Sequence, residues 1–463
     1  MNAPDPLPRH GLPRARDLHA GAAQPNGARR IAVIGGGIAG LGAAWLLSPR
    51  HQVTLFEAGD YVGGHTNTIE VSVARRSHPI DTGFLVFNRR TYPNLCALFE
   101  RLGVDAVESE MSFGVSLADP AIEWAGSDLS TVFAQRRNLL RPAFHGMLAD
   151  ILRFNRETTR MAAGGDAPAL SLGEYLAAGR YGEAFCHWYL LPMAAAIWSC
   201  PPRTMLDYPL ATFVRFCHNH GLLQVFDRPQ WLTVKGGGRE YVRRILAALD
   251  DVRVATPVLG VDRRADGVWL RSRDGVERFD EVVFACHSDQ TLALLGADAS
   301  ADERRILGAV RYQPNRAVVH TDPALLPRRR KVWSAWNYLA GAGRADDRPV
   351  SVSYLINRLQ PLPFETPLVV SLNPFTEPAA DKLLARIEYS HPVFDQAAIA
   401  AQAALPQLQG RQRSWFAGAW TGYGFHEDGL KSAVAVAAAL DCEITWAPTA
   451  AAPTAAPALR EAA

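Results

Sequence analysis

Short apolar blocks, each closed by glycine or by a charged residue, set the pattern of this chain. Ile31-Ala32-Val33-Ile34 is an unbroken apolar run with β-branched members, as a strand buried on both faces of a parallel sheet requires. Leu41–Leu47 then reads as a helix, and Gln52–Phe56 as a second strand that ends at Glu57. Apolar residues at helical spacing predict a core helix over Tyr241–Leu249, and two further runs predict strands over Val252–Val258 and Phe279–Cys286. Strands alternating with helices imply an α/β fold with a parallel sheet. Segment 91–224 reads as largely helical and segment 301–404 as strands. Their aromatic residues, Phe185, Trp188, Tyr189 and Trp198 in the first and Trp333, Trp336, Tyr338 and Tyr354 in the second, are read as core.

The turn between the first strand and the first helix carries chemistry. Gly35-Gly36-Gly37-Ile38-Ala39-Gly40 fits G-x-G-x-x-G. Gly35 permits the tight turn, Gly37 lets a pyrophosphate approach the backbone, and Gly40 allows helix and strand to pack closely. The helix N-terminus, opened by Ile38 and Ala39, offers unpaired N–H groups and the positive end of its dipole to phosphate. Such a motif is weak alone. Here it sits between strand and helix, and Glu57 lies 17 residues beyond Gly40, near the acid expected about 20 residues on. The Glu57 carboxylate, next to Ala58, is suited to accept hydrogen bonds from the hydroxyls of an adenosine ribose.

Length and composition narrow the class. The chain has 463 residues, 48% of them hydrophobic, enough for more than one domain. Lys plus Arg is 48 and Asp plus Glu is 46, so the net charge of +2 lacks the basic excess of a nucleic-acid binder. The six cysteines are scattered with no C-x-x-C pair, which predicts free thiols in a reducing cytoplasm and no metal site. Residues 1–29 and 447–463 are rich in Pro and Ala and read as disordered tails. No apolar run of about 18 residues predicts a membrane span. Peripheral contact with the inner face of a membrane stays open, because it needs no spanning segment.

Glu57 to Thr68, with Gly63-Gly64-His65-Thr66 at its centre, resembles the extended dinucleotide motif of the flavin amine oxidase superfamily, which includes amine oxidases, protoporphyrinogen oxidase and the phytoene desaturases. Further matches are Asp81-Thr82-Gly83 beside the flavin, the Gly236-Gly237-Gly238 turn, and Val258, whose counterpart meets the adenine through its backbone. Trp415 to Ala433 resembles the final flavin motif: a strand, a glycine-rich loop with Gly418 and Trp420, then a helix beginning near Gly429 and Leu430. The resemblance implies a Rossmann-like FAD-binding domain of the amine oxidase type, formed by 30–90, 225–300 and 405–446. An α+β substrate domain, 91–224 and 301–404, would be interleaved with it. His65 stands where most members carry Arg, and Ala419-Trp420 replaces the usual acid after Gly418. The final motif holds no cysteine, so the FAD is expected to be non-covalent.

The chain is similar to a bacterial branch associated with cyclopropane fatty acid synthases and akin to a methylene-fatty-acyl desaturase. Many amine oxidases place a lysine near flavin N5, and the comparable stretch, Tyr312–His320, has none. The leading expectation is therefore oxidation or desaturation of an apolar, fatty-acyl substrate by hydride transfer to flavin N5. An amine oxidase yielding imine and hydrogen peroxide is the first alternative, and a non-catalytic FAD-binding protein the second. His426, Glu427 and Asp428 are the polar candidates for proton transfer, against a plain reading as solvated helix caps. The purified protein should be yellow, and denaturation should release about one free FAD per chain into the supernatant, as the dinucleotide fingerprint requires. Colour that stays with the precipitated chain would mean a covalent link.

Overall fold

In a computed structural model, residues 27–164, 168–198, 202–222, 228–343, 348–444 and 446 are described. Both expected tails fall outside them, apart from residues 27–29. Among the described residues the strands form five sheets. The central one is wholly parallel, with Arg30–Ile34 in the middle, flanked by Gln52–Phe56 and Asp251–Arg253 on one side and Glu281–Phe284 and Ser414–Phe416 on the other. Its strands thus come from three separated stretches of chain. Ile31, Ala32 and Val33 are fully buried, as a strand covered on both faces must be.

A second, seven-stranded mixed sheet draws on 113–125 and on 311–393, with Ile122–Ala125 at one edge and Leu383–Val393 at the other. From the helices of 142–219, the stretch Cys186–Trp198 packs against its strands Phe113–Leu117 and Trp336–Ala340. Helices make up most of the described residues of 91–224, and the strands Ala106–Ser109, Phe113–Leu117 and Ile122–Ala125 are the part of it that the helical reading did not anticipate. Phe113, Val115 and Leu117 alternate with Gly114 and Ser116, and Phe113–Leu117 pairs in parallel with Trp336–Ala340, over two hundred residues away.

Three boundaries also moved. The first helix runs Ile38–Leu47, because Gly37 is its N-cap. The strand expected over 252–258 stops at Arg253, since Ala255 turns at φ +49° and the amides of Ala255 and Thr256 bond back to Gly59 and Glu57. The chain re-enters a different sheet at Val258. The last helix begins at His426, three residues before Gly429, because the Asp428 carboxylate accepts from the Phe425 N–H (3.0 Å) and closes the turn there.

Asp81, at the end of the hairpin strand Arg76–Asp81, ties the turn before the helix Arg239–Ala247 to the chain just after the helix Ile356–Leu359. Its carboxylate accepts from the Gly238 N–H (2.9 and 3.0 Å), the Thr68 hydroxyl and the Gln360 side-chain amide (3.0 Å), while its own N–H donates to Gln360 (3.0 Å). It is a buried latch rather than a turn residue. Asp81→Ala would strand the Gly238 N–H and the Gln360 amide, and should lower the unfolding free energy in urea by on the order of 3 kcal/mol. Burial raises the folded Asp81 carboxyl from 3.8 to about 6. A raised folded value means that its stabilisation is complete at acid pH and is lost as pH rises through that value. The parent's stability relative to Asp81→Asn should therefore fall between about pH 4 and about pH 7. A difference that stays flat with pH would remove Asp81 from this role.

Candidate functional site

A cavity of about 1090 Å³ opens along the C-terminal ends of the parallel strands and runs on under the seven-stranded sheet. Ordinary small-molecule pockets span roughly 300–1,000 Å³, so this one has room for a dinucleotide and a second molecule.

The first arm is built from backbone. Gly35 turns at φ +108°, and a Cβ there would lie 2.8 Å from the Ala285 carbonyl. A Cβ on Gly40 would lie 1.8 Å from the Gly35 carbonyl oxygen, so only glycine lets the helix start so close to the strand. Gly37 differs: nothing lies within 4 Å of its Cβ position. The helix it begins has no side-chain cap and no acid in its first turn, so its leading N–H groups face the cavity unclaimed. Glu57 braces the loop, Oε2 accepting from the Gly36 N–H (2.7 Å) and Oε1 from the Gly59 N–H (2.7 Å). Each carboxylate oxygen keeps a lone pair for a further donor. Open space over Gly37 and uncapped N–H groups beneath it are what a pyrophosphate needs, so these residues fit FAD.

Ala58, Gly63, Gly64, His65, Gly83, Val258, Gly418 and Trp420 line the same cavity, together with Ile38 and Ala39. Gly63 and Gly83 sit against the Thr66 and His65 carbonyls, with room for no side chain (2.3 Å to each). Thr66, Gly40, Gly429 and Leu430 lie behind the wall. Thr66 bonds His426 Nε2 (2.8 Å) and the Tyr241 hydroxyl. Gly429 abuts Ile38, and Leu430 packs on Gly42, so these two hold the helices together instead of touching a ligand.

The three proton-transfer candidates separate in the same way. His426 lines the cavity, stacked on Phe84 at 3.8 Å and held neutral by burial, its value lowered to about 3. Glu427 is turned away from the cavity. It accepts from the Asn94 N–H (3.0 Å), the Asn94 side chain (2.7 Å) and the Leu95 N–H (3.0 Å), capping the helix Pro93–Leu102. Asp428 caps its own helix. Desolvation raises Glu427 to about 7 and Asp428 to about 6, so both are half-buried caps rather than fully solvated ones.

A cluster that the sequence reading missed lies between the two arms. His65 stacks on Tyr389 (4.8 Å) and lies 4.9 Å from His391, while His287 stacks on Tyr312 (4.3 Å). The Tyr389 hydroxyl bonds Thr82 (2.8 Å). His65 Nε2 and His391 Nδ1 are buried without a hydrogen-bond partner. Desolvation lowers both, His65 well below its ordinary range and His391 to about 4, so both rings are neutral beside the cavity. The spacing of Tyr389 and His391 on one strand, two residues apart and therefore on one face, was the available signal.

The second arm is apolar and aromatic, with Phe113, Trp124, Met193, Phe216 and Leu372 on its wall. Of the eight aromatic residues read as core, Tyr189, Trp198, Trp336 and Tyr354 line the cavity. Tyr189 reaches it from a π-helical turn, Cys186–Leu190, whose extra residue rotates the helix face inward. Among the described residues the charged side chains on the wall are Glu57, Glu110 and Arg228, and none of the four lysines reaches it. Glu110 is at the rim, paired with Arg358 (2.7 Å).

The sequence model of the family described as flavin containing amine oxidoreductase matches residues 38–314. A carotenoid phi-ring synthase of Streptomyces griseus is 27% identical over 372 residues, 69% of this chain and 67% of that protein. Among solved structures, a fatty acid isomerase from P. acnes that produces CLA superposes with a TM-score of 0.63 at 15% identity, covering 89% of this chain and 99% of that one. Cyclohexylamine oxidase from Brevibacterium oxydans gives 0.59 at 17% identity, covering 89% and 100%. At such identities the structural likeness speaks for the fold alone.

Two glycines that look alike in sequence should behave differently. Gly37→Val fills space that no protein atom uses, so the FAD-free protein should melt like the parent while FAD affinity falls on the order of tenfold or more. Gly40→Ala collides with the Gly35 carbonyl and should lower the melting temperature with or without FAD. Fluorescence titration and thermal melts read the two effects, and unchanged FAD affinity in Gly37→Val would contradict the cradle.

Proposed function

We propose, for a chain that belongs to the family of flavin containing amine oxidoreductases, that its reaction is the oxidation or desaturation of an apolar, fatty-acyl substrate. The chain is a flavin oxidoreductase, and FAD when bound supplies the two-electron acceptor. The observation that carries the substrate class is the wall of the second arm: aromatic and aliphatic, with neutral histidines, no lysine, and its carboxylate Glu110 at the rim paired with Arg358. Apolar walls bind a hydrocarbon chain in proportion to the surface they cover and exclude water from the reacting carbon.

The residues of the chain have the remaining work. Phe84 and Thr66 hold the His426 ring in place. The neutral imidazoles of His65, His391 and His426, all on the cavity wall, are the candidate acceptors for a proton leaving the substrate. The names of two similar proteins, a carotenoid phi-ring synthase and a fatty acid isomerase, agree with lipid chemistry on this fold. Amine oxidation is the second reading. It is favoured by the perpendicular pair Trp336 and Tyr354 (4.8 Å), whose ring faces can hold a cation.

Oxidised enzyme mixed anaerobically with fatty-acyl lipids should lose its flavin absorbance. The apparent affinity should rise about fourfold per added CH₂, from about 0.8 kcal/mol each, until the arm is filled. Bleaching by polyamines or aryl-alkyl amines alone, at a rate rising with pH as free amine forms, would replace the acyl reading with the amine one.

A further inference from the structure

The segment that follows the buried edge strand Ile122–Ala125 carries an exposed apolar surface away from the cofactor cradle. Among the described residues, the two most exposed large apolar side chains are Leu140 (89%) and Leu129 (78%), and Leu139 (50%) lies beside Leu140. Soluble surfaces tolerate single exposed leucines, but three within twelve residues call for an occupant. Their short helices, Leu129–Val132 and Arg136–Leu140, are tied to the strand by Thr131 donating to the Ala125 carbonyl (3.1 Å) and Arg137 donating to that of Ala121.

The same edge gathers positive charge. The loop Arg328-Arg329-Arg330-Lys331 is fastened there through Glu123, which accepts from the Arg328 N–H (2.7 Å) and pairs with Arg329 (2.5 Å). Stretches 121–141 and 327–332 together hold seven basic residues and two acids, while the whole chain has an excess of only +2. The basic side chains are therefore concentrated on the face that exposes the leucines. The face also adjoins the cavity. Trp124 lines the apolar arm, and Gly126, exposed and three residues before Leu129, lines it at the surface.

We infer that this leucine and arginine surface docks on an anionic phospholipid bilayer. Leucines at the headgroup boundary and basic side chains facing anionic lipid are the two components of interfacial binding. The rim of the apolar arm at Gly126 would then face the membrane, where a hydrophobic substrate can leave the lipid without crossing water. No substrate is needed to test the surface, so its failure is separable from failure of the acyl reading.

The FAD-loaded protein would be sedimented with vesicles of phosphatidylcholine alone and of phosphatidylcholine mixed with phosphatidylglycerol. Binding is expected to the anionic vesicles only, and to weaken with salt. Each basic residue near an anionic surface contributes roughly fivefold to partitioning, so Arg328→Glu with Lys331→Glu should reduce binding by more than about tenfold. Leu139→Asp with Leu140→Asp should do the same. Both pairs should keep the flavin-to-protein absorbance ratio and the melting temperature of the parent, which shows that they fold, and Leu384→Asp on the opposite edge should bind as the parent does. Parent protein that ignores anionic vesicles, or paired variants that bind undiminished, would overturn the proposal. So would a lipid-free dimer that the leucine pair abolishes, since it would assign the surface to a second copy of the chain.

Discussion

Two helices from opposite ends of the chain touch through glycine, and the cofactor cradle depends on that contact. A Cβ on Gly42 of the first helix would lie 2.6 Å from Leu430, and one on Gly429 of the last helix would lie 2.9 Å from Ile38. With no side chain at either place, the helices approach closely enough for both N-termini to open on one cavity. Trp446 extends the seam by stacking on Trp45 (5.9 Å) and donating to Asn94 (3.0 Å). Larger residues at the two glycines would wedge the seam apart and widen the cradle from behind.

Much of the buried polar chemistry braces this arrangement and leaves the ligand alone. Glu427 leaves the last helix to cap Pro93–Leu102, His426 reaches Thr66, and Asp81 joins Gly238 to Gln360. Each bond links stretches far apart in sequence, and each group would be costly to bury unpaired. The raised carboxyls of Asp81, Glu427 and Asp428 and the depressed ring of His426 share one cause, desolvation, so a shifted value here does not by itself mark a catalytic group. Position on the cavity wall is the better criterion, and of these four only His426 meets it.

The cavity then divides by chemistry. Its glycine-built arm presents backbone N–H groups, and its aromatic arm presents almost no charge. Between them stand the imidazoles of His65 and His391, neutral because they are buried. Replacing the usual Arg by His at position 65 thus takes a permanent cation out of the junction and leaves a ring that stacks on Tyr389.

What the sequence by itself determined is local. Strand, glycine turn, helix and acid from Ile31 to Glu57 follow from hydrophobic runs and from φ angles that only glycine adopts easily, and each is set by its immediate neighbours. The tight turn at Gly35 and the close packing at Gly40 were legible there, and the space over Gly37 is open. Tertiary structure alone decided the rest. Glu427 and Asp428 read as proton-transfer candidates alongside His426, yet successive residues on a helix point about 100° apart, and only one direction meets the cavity. Tyr189 and Trp336 read as core because a half-buried aromatic facing an apolar pocket has the same pattern as one facing other side chains. His65 and His391 meet only when a strand from the far edge of the seven-stranded sheet returns to the cofactor loop. Sequence spacing encodes neighbours along an element, whereas contacts between elements depend on how their apolar faces pack, and that packing placed the aromatic wall and the histidine junction.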